Sequence, residues 1–250
     1  LTELDRFNLA RTPNFEPRRN AAVPSYVLGA QTPLLFMPMR SGPEEQVKAW
    51  LAALDEVAVE DLPTQANQKD LRIWRRKHKG NRSFTVLRHP VARAHAAFCS
   101  RVLAVEEGSF KAIRKSLRKL YKVPLPETGP DEGYDLATHR EAFLGFLAFV
   151  KANLAGQTGI RIDGHWATQS ATLKGFGELC FPDVIVREED MASYLPALAM
   201  QVGHMDAPEP GEAAADAPFA LADVYDDEIE ALVSDIYQRD YLNFGYDRWR

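Results

Sequence analysis

Three features of the sequence predict a three-layer α/β fold built round a central, mostly parallel sheet. Short continuous apolar runs recur along the chain, helical patterns fill the stretches between them, and 250 residues suffice to bury a large core. Strands covered on both faces read as unbroken apolar runs rather than alternating ones. The composition, 46% hydrophobic and 26% charged with net charge −5, suits a globular protein and argues against a general nucleic-acid coat, which would be basic overall.

Residues 1–25 are polar, with Pro13, Pro17 and Pro24, and read as a surface arm ahead of one domain over 26–250. "TPLLFMPM" (32–39) is the first buried-strand run, with 34–38 its expected strand. "RSG" follows as a tight loop. "PEEQVKAWLAAL" then places Pro43 at a helix start, two acids in the first turn, and apolar residues at 47, 50, 51 and 54. Residues 62–82 are polar and basic, and "FTVLRHPVARAHAAF" (84–98) repeats the order strand, loop, helix.

"GSFKAIRKSLRKLYKV" (108–123) is an amphipathic helix whose polar face holds Lys111, Arg114, Lys115, Arg118, Lys119 and Lys122. After the loop "VPLPETGPDEGY", "ATHREAFLGFLAFVKANL" (137–154) is apolar enough for a central core helix. "FPDVIVREEDMASYLPALAMQVG" (181–203) reads as a strand and an acid-started helix. Residues 205–218, rich in Pro, Ala and acids, read as a mobile loop, and "DDEIEALVSDIYQRDYLNF" (226–244) as one closing helix.

Cys99 and Cys180 form neither a disulfide framework nor a four-ligand zinc set, and read as buried thiols in a reducing compartment. No apolar run reaches the ~20 residues of a membrane span. The opening residues lack the apolar centre of a signal peptide. A cytoplasmic location is the expectation. His89 and His95, six apart, do not share a helix face as metal ligands would, so no metal is expected.

Open α/β sheets bind ligands at the C-terminal edge of their strands. Arg88 stands at such an edge, Pro90 suits the first turn of the next helix, and Arg93 follows about one turn on. Free N–H groups at a helix start, supplemented by arginine forks, form an anion site; two solvated arginines at a corner are the plainer alternative. The sheet order requires that the loops at 40–42 and 88–93 leave the same edge if they are to share one ligand.

Arg88, Pro90, Arg93, Ala97 and Phe98 resemble the 3′-phosphate-binding segment of carbohydrate sulfotransferases that use 3′-phosphoadenosine-5′-phosphosulfate (PAPS). "DGHWATQSATL" (163–173), "FPDVIVREEDM" (181–191) and "YQRDYLNFGY" (237–246) are similar, in the same order, to later blocks of that family. The resemblance covers about 84–250, suggests a bacterial-type relative, and implies a P-loop-like sulfotransferase fold. Its implied cofactors are PAPS as donor and 3′-phosphoadenosine-5′-phosphate (PAP) as product. The implied cofactor-binding residues are Arg40, Ser41 and Gly42 in "RSG", with Arg88, Arg93 and Gln169.

Two departures stand out. His89 and Ala96 replace the usual acid and the phosphate-binding serine. Pro43, Glu44 and Glu45 follow the "RSG" loop where hydroxyl residues are expected. Acids in a first helical turn stabilise the helix by roughly 0.3–1 kcal/mol each, but at an anion site they repel the ligand. Pro43 also removes one N–H donor.

Within the resemblance His165 is the candidate base, the other reading being a structural histidine beside Trp166. Lys111, Arg114, Lys115 and Arg118 would meet a hydroxylated, acidic glycan acceptor, unless they form only a solvated face. The sequence-level function is sulfuryl transfer from PAPS to a carbohydrate hydroxyl. The alternative is a catalytically inactive protein of the same fold that binds a nucleotide or polyanion.

Overall fold

Four short strands lie in the order β1-β2-β3-β4: Val27–Leu28, Leu34–Phe36, Arg82–Leu87 and Val184–Arg187. The computed structural model describes residues 26–64, 68–177, 180–211 and 217–250. The expected arm at 1–25 and part of the expected 205–218 loop lie outside them. β2, β3 and β4 run parallel, with Leu34 opposite Arg82 and Phe84 opposite Val184, while β1 pairs antiparallel with β2. The sheet is therefore mostly parallel, as the apolar runs predict.

Side chains alternate across this sheet because successive residues of a strand face opposite ways. Leu34, Phe36, Phe84, Val86 and Val186 meet α1 (Glu44–Asp55) through Val47, Trp50 and Leu51, and α7 (Met191–Gln201) through Leu195 and Leu198. On the opposite face, Leu35, Met37 and Leu87 meet α2 (Gln68–Lys77) and α6 (Gln169–Phe176). These are the three layers. α2 lies in the basic 62–82 stretch, where Leu71 and Trp74 are buried beneath a charged face.

A second, all-helical core adjoins the sheet. It joins α3 (Pro90–Ala97), a π-helix at Phe98–Leu103, α4 (Lys111–Leu120), α5 (Leu136–Leu154), the short α8 (Leu221–Val224) and α9 (Asp227–Ile236). Phe98, Phe143, Phe146, Phe149 and Trp166 are fully buried there, each worth roughly 1.5–3 kcal/mol in area removed from water. Asp135 and Asp226 cap α5 and α9 by accepting from Thr138 N and Ile229 N.

The expected closing helix breaks at Tyr237 into α9 and α10 (Gln238–Phe244), tied to the α6 region through Tyr237 and Asp240. Tyr237 donates its hydroxyl to Trp166 O, and Asp240 accepts from Gln169 N, Ser170 N and Ser170 Oγ at the start of α6. Residues 208 and 211, in the stretch expected to be mobile, accept from Trp50 Nε1 and Gln46 Nε2 on α1. No helix among the described residues is long and apolar enough to cross a membrane.

Candidate active site

The loops after β2 and β3 leave the same edge and touch. Arg93 Nε donates to Arg40 O at 3.0 Å, and Arg88 Nη1 to Ser41 O at 3.2 Å. The first loop turns sharply: Ser41 has φ 58°, and Gly42 N donates to Met39 O. A Cβ on Gly42 would lie 2.8 Å from that same oxygen, which explains glycine there.

α1 starts directly after this turn, and no side chain caps it. Its first N–H groups and its positive end thus remain available to an anion. Glu44 and Glu45 both pair with Lys48, at 2.8 and 3.1 Å, which partly offsets the charge they bring to this turn.

His165 reaches the loop from the turn before α6. Its Nδ1 lies 2.8 Å from Ser41 Oγ, its ring meets Phe110 edge-on, and the residue is buried. Burial, followed by the positive charges of Arg101, Arg40 and Arg93, pushes the imidazole pKa down to about 3. His165 is neutral at physiological pH, chiefly through burial, with the three nearby arginines adding to the effect.

Arg40 is exposed and lies over Gly164, where its Cδ would be 2.9 Å from any Cβ. Its guanidinium has no partner among the described residues. Arg101, on the π-helix, donates from Nη1 to Gly108 O, while its buried Nε is unpartnered. Sequence reasoning missed Arg101. The only available signal was a third arginine eight positions beyond Arg93.

Three expected cofactor ligands are instead committed to the protein. Arg93 is 2% exposed and donates to the carbonyls of Arg40, Ala167 and Gly164 at 3.0, 2.7 and 2.6 Å. It clamps the 40–42 loop to the 164–167 turn rather than presenting a free fork to a phosphate. Gln169 spends its amide on Arg88, accepting from its N and donating to its O. Arg88 itself holds Glu188 through a fork of 2.7 and 2.6 Å, tying the ends of β3 and β4. His89 takes over the helix-capping task of an acid: its Nδ1 accepts from Val91 N while Nε2 bonds Asp247 O.

The basic helix α4 splits in the same way. Arg114 is buried and donates to the carbonyls of Val102, Leu103 and Pro126, so it closes the end of the π-helix while also lining the groove beside α4. Lys111, Lys115, Arg118, Lys119 and Lys122 line an open groove of about 630 Å³, where Arg118 pairs with Glu127.

The model of the sulfotransferase family matches residues 43–247, and the chain belongs to that family. Comparison with curated proteins and with solved structures returns no match. The α/β architecture, with its sheet-edge loops, is that of a sulfotransferase fold.

Proposed function

We propose that the protein transfers a sulfuryl group from PAPS to a hydroxyl of a carbohydrate, leaving PAP. The observation that carries this reading is the 2.8 Å Ser41–His165 contact beside the uncapped start of α1, surrounded by Arg40, Arg93 and Arg101. PAPS would supply the activated sulfuryl group. Its 5′ end suits the open helix start, the free Arg40 and the unpartnered Arg101 Nε. The 3′ end suits the chain less well, since Ala96 offers no hydroxyl and Arg88 must exchange Glu188 for a phosphate.

Sulfuryl transfer, like phosphoryl transfer, asks a protein mainly for position and positive charge. Arg40 and Arg101 provide the charge. With Nδ1–H donated to Ser41 Oγ, His165 Nε2 is free to take the proton of the acceptor hydroxyl. Burial is the main cause of the low His165 basicity, but an anion among the guanidiniums offsets the repulsion that adds to it, and so raises the basicity in part. Phe110, which meets His165, immediately precedes α4, whose Lys111, Lys115 and Arg118 line a groove that suits an acidic glycan.

Transfer of labelled sulfuryl from PAPS into a panel of acidic polysaccharides tests the proposal. The His165→Gln variant should bind PAP normally but lose ~10²–10⁴-fold in rate, the usual worth of a positioned base. Wild-type rates in that variant would remove His165 as the base. PAP binding without transfer to any acceptor would favour an inactive binding protein, the reading that Ala96 and the Arg88–Glu188 pair support.

A further inference from the structure

Outside the sheet-edge site, the helical core buries three side chains with ligating atoms together. His95 lies on α3, Cys99 one turn later in the π-helix, and His139 on α5, at 4, 8 and 0% exposure. Their ligating atoms all lie within 4.8 Å of one another. His95 Nε2 is 2.9 Å from His139 Nε2, and Cys99 Sγ is 3.6 Å from His95 Nε2. We propose that His95, Cys99 and His139 form a buried site for a thiophilic transition-metal ion, with monovalent copper the ion that fits them best.

The geometry is close to that of a loaded site. Metal–nitrogen bonds of about 2.0–2.1 Å and metal–sulfur bonds of about 2.3 Å set ligand atoms roughly 3.3–3.8 Å apart. The Cys99–His95 spacing already falls in that range, the third spacing, Cys99 to His139, lies within 4.8 Å, and the two imidazoles need to part by about half an ångström. Tyr134 Oη lies 3.2 Å from His139 Nδ1 and orients the ring so that Nε2 faces the cluster, the usual task of a group behind a ligand. The rings of Phe98, Phe143 and Phe219 pack against the two histidines and keep water out.

Protonation favours the two imidazoles as ligands and works against the thiol, so the geometry carries the site. Burial holds both imidazoles at about 4, with His139 adding to the effect on His95, so both are neutral and offer lone pairs. Burial pushes the Cys99 thiol up to about 12, and its proton leaves to solvent only as the cation arrives. One thiolate, two neutral imidazoles and one monovalent ion make a neutral complex in an apolar pocket. A divalent ion would leave a buried net charge, and structural zinc takes a fourth ligand that this cluster does not supply.

A bound ion would fasten α3, which also carries the loop clamp Arg93, to α5. The competing account of the 2.9 Å contact is a hydrogen bond between two neutral imidazoles, with no ion involved.

The test refolds the full chain without oxygen in the presence of Cu(I) or Zn(II), removes excess metal, and measures metal per chain. X-ray absorption then reports the ligand atoms. The expected result is one Cu(I) per chain, bound to one sulfur and two imidazole nitrogens. Cys180→Ser should keep the ion, Cys99→Ser and His95→Gln should lose it, and Tyr134→Phe should weaken binding about 10–100-fold. Circular dichroism checks that the variants fold, and should Cys99→Ser fail to fold, the wild-type absorption spectrum decides. Zinc bound with the same residue dependence would uphold the site and overturn copper as its ion. A wild type that takes up neither ion, or a Cys99→Ser variant that keeps it, would overturn the site and leave a hydrogen-bonded pair.

Discussion

Replacing Glu188 by Gln should loosen the fold and tighten PAP binding at the same time. Arg88 and Glu188 share two short bonds, 2.7 and 2.6 Å, with side chains 16 and 25% exposed, so solvent screens the pair only in part. Hydrogen bonds to charged groups contribute about 1.5–3 kcal/mol. A 3′-phosphate that takes Arg88 must first displace a carboxylate held at about that strength. The Gln side chain keeps the shape but not the charge, so most of this competition disappears. PAP affinity should rise about 10–100-fold, taking 1.4 kcal/mol as tenfold. The same change weakens the tie between β3 and β4 and should lower stability by ~1–3 kcal/mol. Calorimetric titration with PAP and urea unfolding read the two effects separately. Equal or weaker PAP binding together with the stability loss would show that Arg88 is a strut between strands and not a phosphate ligand.

Other outcomes follow from the same geometry. Arg93→Lys should cost about 3 kcal/mol or more in urea unfolding, because one ammonium cannot serve the three carbonyls of Arg40, Ala167 and Gly164. Lys111→Ala with Lys115→Ala should weaken binding of an acidic polysaccharide, more at low salt, and leave stability unchanged, whereas Arg114→Met should destabilise the fold. In NMR titration His165 should stay neutral down to about pH 4 in the free protein, and its pKa should rise when PAP binds; an unchanged titration would place the anion elsewhere. In the metal-free chain His95, His139 and His165 sit at about 4, 4 and 3 when folded, against an ordinary 6.5. The unfolded chain therefore binds more protons between about pH 6.5 and 4, and stability should fall as pH drops through that window, by up to ~1.4 kcal/mol per unit for each group. Urea midpoints at pH 7, 5.5 and 4.5 check the slope.

Local pattern carried the sheet. Leu34–Phe36 is an unbroken apolar run, and Phe84–Leu87 is interrupted only by Thr85, whose buried hydroxyl donates to Met37 O, because helices cover both faces; the loops they lead into meet at one edge as expected. β1 is only two residues long, too short to show a period, and α2 hides Leu71 and Trp74 among basic residues while exposing Ile73. The closing helix breaks at Tyr237 for a tertiary reason, since Asp240 is drawn to the start of α6.

Residue types at the site were legible, but their partners were not. Arg88 meets Glu188 a hundred residues on, and Arg93 and Arg114 spend their donors on carbonyls, which no side-chain motif reveals. The acids that count against an anion at α1 pair with Lys48, one turn further on, a spacing that the sequence does display. His95 and Cys99 are also one turn apart, but His139 joins them only through the packing of α5.

Calorimetric titration of the full chain with PAP, wild type beside Arg40→Ala, decides whether the 40–42 loop and the open start of α1 receive the charged 5′ end of the cofactor. Arg40 is exposed and its guanidinium has no partner among the described residues, so its removal should leave the fold intact and touch only the ligand. One PAP per chain is expected, bound about tenfold or more weakly by Arg40→Ala, the loss expected for a contact to a charged group. No heat with the wild type, or identical affinities in the two proteins, would refute this placement.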